Sequence, residues 1–254
     1  MNKTALIAVL LAGAPMSASA WGGGGGVAGQ FDSYLFTLEW TPAFCEGRTS
    51  AAECANEQPD RFDVTHLSLH GLWPEKNGNG PYTSGVYYCG VGADEQSLDR
   101  GSTWCQLPVP AYSDATRAAL TTVMPGVASC LDHHEWTKHG TCTGLAADDY
   151  FATAAALVQR IAGSAFGRYL TAHAGQTVDA SAAFAAFEAD FGAGSGGKLL
   201  LNCTEVRGSP ALLEVNMHLS KPLRPASELS DMLLATGETG TCPASFLLDP
   251  VPSR

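Results

Sequence analysis

Eight cysteines, an even set with no C-x-x-C pair among them, constrain what this chain can fold into more than any other feature. Such a set can oxidise completely into four crosslinks, and the spacing lacks the usual signature of a zinc site or a thiol redox motif. The sequence alone leaves on the order of a hundred ways to pair them, although Cys45 and Cys54 stand close enough to close a small local loop. Crosslinks persist in oxidising compartments, and the N-terminus supplies a route to one. Lys3, an apolar run from Ala5 to Ala12 and the small-residue site Ala18-Ser19-Ala20 read as a signal peptide over residues 1–20, with the mature chain starting near Trp21. That run is too short to span a bilayer, and no later stretch approaches the ~18 apolar residues needed. The expectation is an exported protein, periplasmic or extracellular, with no membrane segment.

Residues 21–29 are glycine-rich and expected as a flexible lead-in, and residues 30–254 are long enough for one domain with a sizeable core. Asp32 to Trp40 and Phe62 to Leu69 alternate apolar and polar residues, so both read as strands, the second running into His70-Gly71-Leu72-Trp73-Pro74 and placing His70 at a strand end. Lys76 to Gly85 is a turn-rich loop. Helical composition covers 114–123, 131–139 with Gly140 placed to stop it, 148–162, 165–173 and 180–191, and strand character returns at 198–203 and 212–219. Because strands and helices are segregated rather than alternating, the expected fold is a single α+β domain, an antiparallel sheet packed against several helices and held by disulfides.

The net charge of −11, from 14 Lys and Arg against 25 Asp and Glu, argues against a protein that grips nucleic acid through a broad basic face. An acidic enzyme acting on a polyanion must instead concentrate its few cations at one site. The segment His133-His134-Glu135-Trp136-Thr137-Lys138-His139-Gly140-Thr141-Cys142 does so. On a helix, positions 134, 135, 138 and 139 fall within an arc of roughly 140°, while Trp136 and Thr137 point elsewhere. One face then carries two imidazoles, a carboxylate and an ammonium. Taken alone, that face is as compatible with a solvated patch as with a site. His70 changes the balance, because phosphodiester transfer needs a base and an acid on opposite sides of phosphorus, and two histidines on different elements meet that need.

The two stretches, His70 to Pro74 and His134 to Cys142, resemble the active-site motifs of the ribonuclease T2 family, acid endoribonucleases of broad base tolerance. Their order and separation fit, and the likeness continues through Cys89, the segment from Cys105 to Cys130 and the Asn202-Cys203 strand, looking most like the bacterial periplasmic branch. The resemblance implies a secreted endoribonuclease that cleaves single-stranded RNA to 2′,3′-cyclic phosphate ends and then hydrolyses these to 3′-phosphates. It implies His139 as general base and His70 as general acid, with Glu135 and Lys138 stabilising the phosphorane and His134 binding phosphate. Trp73 would stack on a base, with Glu75 and Tyr82 as neighbours, although simple core packing accounts for that tryptophan equally well. It also implies Cys89 with Cys142 and Cys203 with Cys242, leaving Cys45 with Cys54 and Cys105 with Cys130. A bell-shaped pH dependence follows from the two histidines, placed by the likeness on the acid side of neutral.

Competing motifs are weaker. H-E-x-x-x-H puts Lys138 where a zincin needs histidine, and no P-C-x-x-C follows His133-His134-Glu135 to complete a deaminase metal site. Gly192 to Lys198 spells the start of a P-loop, but Leu199 replaces the hydroxyl that would bind magnesium. Asn202-Cys203-Thr204 is a glycosylation sequon whose middle residue is expected in a disulfide. His66, His133, His173 and His218 belong to no motif and are expected as surface or structural histidines. The expectation is a monomer with RNA as substrate that cuts no DNA and needs no cofactor and no metal. A catalytically silent binding protein on the same fold is the alternative, and both motif histidines argue against it.

Overall fold

Along Ser33–Glu39 (β1), Tyr34, Phe36 and Leu38 are buried in the core, while Ser33, Leu35, Thr37 and Glu39 alternate with them on the opposite face. The computed structural model in which this is seen describes residues 25–55, 58–76, 78 and 80–250, so the expected signal peptide lies outside the described residues. After β1 the chain forms α1 (Thr41–Cys45), β2 (Ser68–Glu75), α2 (Gly80–Ser84), α3 (Ala93–Leu98), α4 (Asp114–Val123), α5 (Leu131–Lys138), α6 (Ala147–Gly163) and α7 (Ala165–Ala172). It continues through β3 (Thr177–Asp179), α8 (Ala180–Phe191), β4 (Leu199–Val206), β5 (Ser209–Ser220), α9 (Leu229–Met232) and β6 (Ser245–Leu247).

The strands make one sheet in the order β2-β1-β5-β6-β3, with β4 also paired to β5. Every pairing is antiparallel except the contact of β5 with β6, which is parallel at Ala211 and Leu247. β2 lies at an edge, where Pro74 with its missing N–H is tolerated. One face of the sheet is covered by the long helices. Phe36, Leu38, Val215, Met217, Leu219 and Leu201 share a buried cluster with Leu120 and Val123 of α4, Phe151, Val158 and Ile161 of α6, Phe166 of α7 and Phe187 of α8. The other face is polar. Glu39 and Thr37 on β1 stand opposite Glu214 and Asn216 on β5 in register.

The structure relocates one expected strand. Phe62–Val64 is a single 3-10 turn, closed by the Arg61 to Asp63 ion pair at 2.7 Å, and the strand begins only at Ser68. It then runs through the motif to Glu75, so His70 lies inside β2 rather than at its end. Alternation and aromatic content suit the segment before Ser68 to a strand, but β1 offers partners only from Ser68 onward. The loop expected over 76–85 contains the short α2.

Four disulfides join Cys45 to Cys54, Cys89 to Cys142, Cys105 to Cys130 and Cys203 to Cys242; the resemblance implied the second and fourth, and the first and third are the pairs it left over. The described end of the glycine-rich lead-in is docked: Gly26 N donates to Tyr87 O at 3.2 Å and Gly29 N to Cys142 O at 2.8 Å. Among the described residues no helix is long and apolar enough to cross a membrane.

Candidate active site

Two elements meet to make the site, and each carries a local irregularity that aims its histidine. In the β1 to β2 ladder Thr37 pairs with Gly71 and Leu38 with Leu69, so His70 is the extra residue of a β-bulge. A bulge bends the strand and redirects a side chain that regular alternation would send elsewhere. The second element, α5, is bracketed by crosslinks. Cys130, in the left-handed conformation at φ 62°, precedes its first residue, and Cys142 follows shortly after its end. His139 caps the helix, its N–H donating to Glu135 O at 3.1 Å.

Between the two lies Trp73. Its ring centroid is 5.2 Å from His70, edge-on at 84°, and 5.2 Å from His139, tilted at 31°. Its indole N–H donates to Glu135 Oε2 at 2.6 Å. Gly71 makes this possible, since a Cβ there would stand 2.1 Å from Trp73 Nε1 and 2.4 Å from Glu135 Oε2. The structure therefore brings His70, Trp73, Glu135 and His139 into one cluster. His134 joins it from the preceding turn, with its ring 5.9 Å from that of His139 and Nε2 3.8 Å from Glu135 Oε1. The other nitrogen, Nδ1, is held by Asp99 at 2.5 Å, and Trp104 stacks on the ring at 4.6 Å. Lys138 Nζ lies 5.9 Å from the Tyr88 ring centroid, and its carbonyl accepts from Tyr88 N at 2.7 Å.

The two imidazoles are tuned in opposite directions. His139 is fully buried, and burial together with the charges of His134, Lys138 and His70 holds it well below the ordinary histidine value. Burial also opposes charge on His70, but a hydrogen bond to Glu214 at 2.8 Å and the fields of Glu135, Glu39 and Glu214 outweigh it and push the group up to about 9. Glu135 is raised by burial against the pull of His134, His70, Trp73 and Lys138. Glu39 is pushed up to about 7, again by burial first.

A small cavity of about 80 Å³ beside His70 is lined by Glu39, Trp104 and Leu131 among others. A larger hollow of about 430 Å³ near α8 and β4 holds none of these imidazoles. Two trios have the composition of a cation site, His134 with Glu135 and His139, and Glu39 with His70 and Glu214, each able to bring one ligand atom apiece within 4.8 Å of the others.

Not every expected residue joins the cluster. Glu75, expected beside a bound base, is fully buried: Oε1 accepts from Ser33 Oγ at 2.9 Å and pairs with His218 Nδ1 at 2.6 Å, and Oε2 accepts from Gly80 N at 2.9 Å. The correction follows from strand order, because Ser33 sits opposite Glu75 and places its carboxylate against β1 and β5 rather than at a solvent-facing rim. Tyr82 lies in α2, and its side chain falls outside what the structure describes. Residues not anticipated are Glu39, Asp99, Trp104 and Glu214, which contact motif histidines from other segments and belong to no sequence motif. His66 and His173 stack on neighbouring Phe62 and Tyr169, as expected of structural histidines.

Comparison with known proteins gives the same picture. A profile of the Ribonuclease T2 family matches residues 31–227. Ribonuclease I of Escherichia coli (strain K12) is 30% identical over 236 residues, covering 87% of each chain. Intracellular ribonuclease LX of Solanum lycopersicum is 30% identical over 131 residues, 49% of this chain and 46% of that one. Among solved structures, ribonuclease MC1 from the seeds of bitter gourd superposes with a TM-score of 0.54 at 23% identity, covering 85% of this chain and all of the other. RNase NT in complex with 5′-AMP gives 0.56 at 19% identity, covering 87% and 99%. These structural likenesses establish the α+β fold.

Proposed function

Since the chain belongs to the ribonuclease T2 family and is by that membership an endoribonuclease, we propose that it cuts single-stranded RNA with broad base tolerance by intramolecular transphosphorylation, using His139 as base and His70 as acid. The observation that carries this reading is the opposite tuning of two imidazoles set on either side of Trp73. A base must be neutral and an acid charged at the same pH, and environments that push two groups apart assign those roles. His139 takes the proton of the ribose 2′-hydroxyl, the 2′-oxygen attacks phosphorus, and His70 gives its proton to the departing 5′-oxygen. In the second step the roles exchange: His70 draws a proton from water, and His139 returns one to the 2′-oxygen, leaving a 3′-phosphate.

Glu135, Lys138 and His134 surround the developing charge. A positioned cation acts most where charge builds in the transition state, which suits Lys138. His134, anchored by Asp99, is the proposed phosphate-binding group. His139 is buried with the indole of Trp73 against it. In this reading Trp73 stacks on a base, and Tyr82 in α2 remains a candidate neighbour. RNase MC1 mutants in complex with 5′-UMP and with 5′-GMP are solved neighbours, in keeping with a nucleotide-binding cleft on this fold. The enzyme acts in this reading as an exported monomer without a cofactor.

The test is to incubate the purified protein, in excess chelator, with an RNA oligonucleotide and its all-deoxy counterpart. RNA is expected to give 2′,3′-cyclic and then 3′-phosphate ends while DNA remains intact. Equal cutting of the deoxy strand, or activity lost to the chelator and restored by a divalent cation, would overturn the reading in favour of a metal site at His134, Glu135 and His139.

A further inference from the structure

Glu214 lies on β5 directly opposite Glu39 on β1, 144 residues along the chain from His70. The bulge in β2 turns the His70 ring onto this pair, and Glu214 Oε1 stands 2.8 Å from His70 Nδ1. A carboxylate can only accept, so the nitrogen it holds must be the donor, and the proton that comes and goes is then the one on Nε2. We propose that Glu214 is a positioning residue for the reaction, fixing His70 with its proton on Nδ1 so that Nε2 faces the departing oxygen, and keeping the imidazolium charged until transfer. The proposal rests on the reading of His70 as the general acid.

The geometry distinguishes this from a packing role. Both side chains are partly exposed, 29% for His70 and 24% for Glu214, so the pair fills no position in the core. The same contact matters more to the ring, because it settles which nitrogen is free. The titratable groups around His70 are Glu214 from β5, Glu39 from β1, Glu53 from the segment after α1, Glu135 from α5, and His139 at the end of α5. Glu39 is pushed up to about 7 by burial, with Glu214 adding to the rise and His70 opposing it.

The experiment measures kcat/KM against pH for the intact enzyme, Glu214→Gln, Glu214→Ala and His70→Ala. Glu214→Gln keeps an oxygen to accept from Nδ1 but removes the charge, so its alkaline limb is expected to move toward acid by about one unit or more while the plateau rate stays within a few-fold. Glu214→Ala releases the ring as well and is expected to lower kcat about 10-fold or more with KM little changed. Profiles of both Glu214 variants that superimpose on the parent would overturn the proposal, provided His70→Ala abolishes the alkaline limb. If His70→Ala keeps that limb, the assignment of His70 as acid has failed, and the proposal falls with it. Nitrogen NMR of the unmodified protein gives an answer independent of any variant: neutral His70 is expected to carry its proton on Nδ1, and finding it on Nε2 would sink the idea.

Discussion

At the scale of single residues, the site is a set of shifted protonation equilibria, and their directions set the pH dependence. In the proposed mechanism His139 must be neutral, and its value in the folded protein lies well below the usual one, so activity is expected to be lost on the acid side only well under pH 6.5. His70 must be charged and is pushed up to about 9, so activity is lost on the alkaline side near there. The expected profile of kcat/KM for the free enzyme is therefore a broad plateau across neutrality, wider than the acid-side optimum that the motifs alone suggested. His70→Ala should remove the alkaline limb and His139→Ala the acid limb, each with a loss of about 10²–10⁴-fold in rate. A single limb rising with pH in the parent enzyme would contradict the two-histidine mechanism. The motif residues His134, Glu135, Lys138 and His139 were legible because they are neighbours on one helix. The residues that tune them were not: Asp99, Glu39 and Glu214 arrive from separate segments, and no local pattern marks them.

At the scale of elements, catalysis depends on how β2 and α5 are held against each other. Gly71 is the berth on which the Trp73 indole lies, because the space of its missing Cβ is taken by the ring and by Glu135. Gly71→Ala is expected to displace the ring, break its hydrogen bond to Glu135 and cost roughly 1–3 kcal/mol of stability as overpacking does. Urea unfolding gives the cost, and turnover should fall together with a change in tryptophan fluorescence. Unchanged activity would show that the contact between strand and helix is dispensable. The helix is also fixed at both ends by crosslinks. The double change Cys89→Ser and Cys142→Ser frees the end next to His139 and should cost about 2–5 kcal/mol, read as a lower unfolding midpoint, with kcat falling more than KM rises. A variant with parental kcat would show that the helix end is held well enough by packing alone.

At the scale of the whole molecule, an acidic enzyme acts on an acidic polymer, and the distribution of charge decides how. The net charge of −11 leaves no general attraction for RNA, so in the proposed reading binding comes from a few groups at the site, chiefly Lys138 and His134. If about two phosphates are engaged, the logarithm of the apparent affinity for single-stranded RNA should fall with the logarithm of salt at a slope near −1.4. Measuring KM for a short RNA from about 50 to 200 mM salt should then show a rise of less than roughly 10-fold. A slope steeper than about −4 would reveal a basic track along the surface that the composition does not suggest.

The sequence by itself determined the α+β class, the extents of α4 and α8, and the identity of the motif histidines, because helix periodicity and a short motif depend on residues within a few positions of one another. It did not determine where β2 begins or which way His70 points. Those depend on the pairing with β1, which starts at Ser68 and skips one residue at His70. Nor did it place Glu75, which the resemblance set beside a base and strand order buried against Ser33 and His218. The opposed tuning of His70 and His139 was decided only in three dimensions, because a protonation equilibrium responds to burial and to charges within a few ångströms in space. For His70 those charges come from positions 39, 135 and 214, brought together by a sheet and a helix.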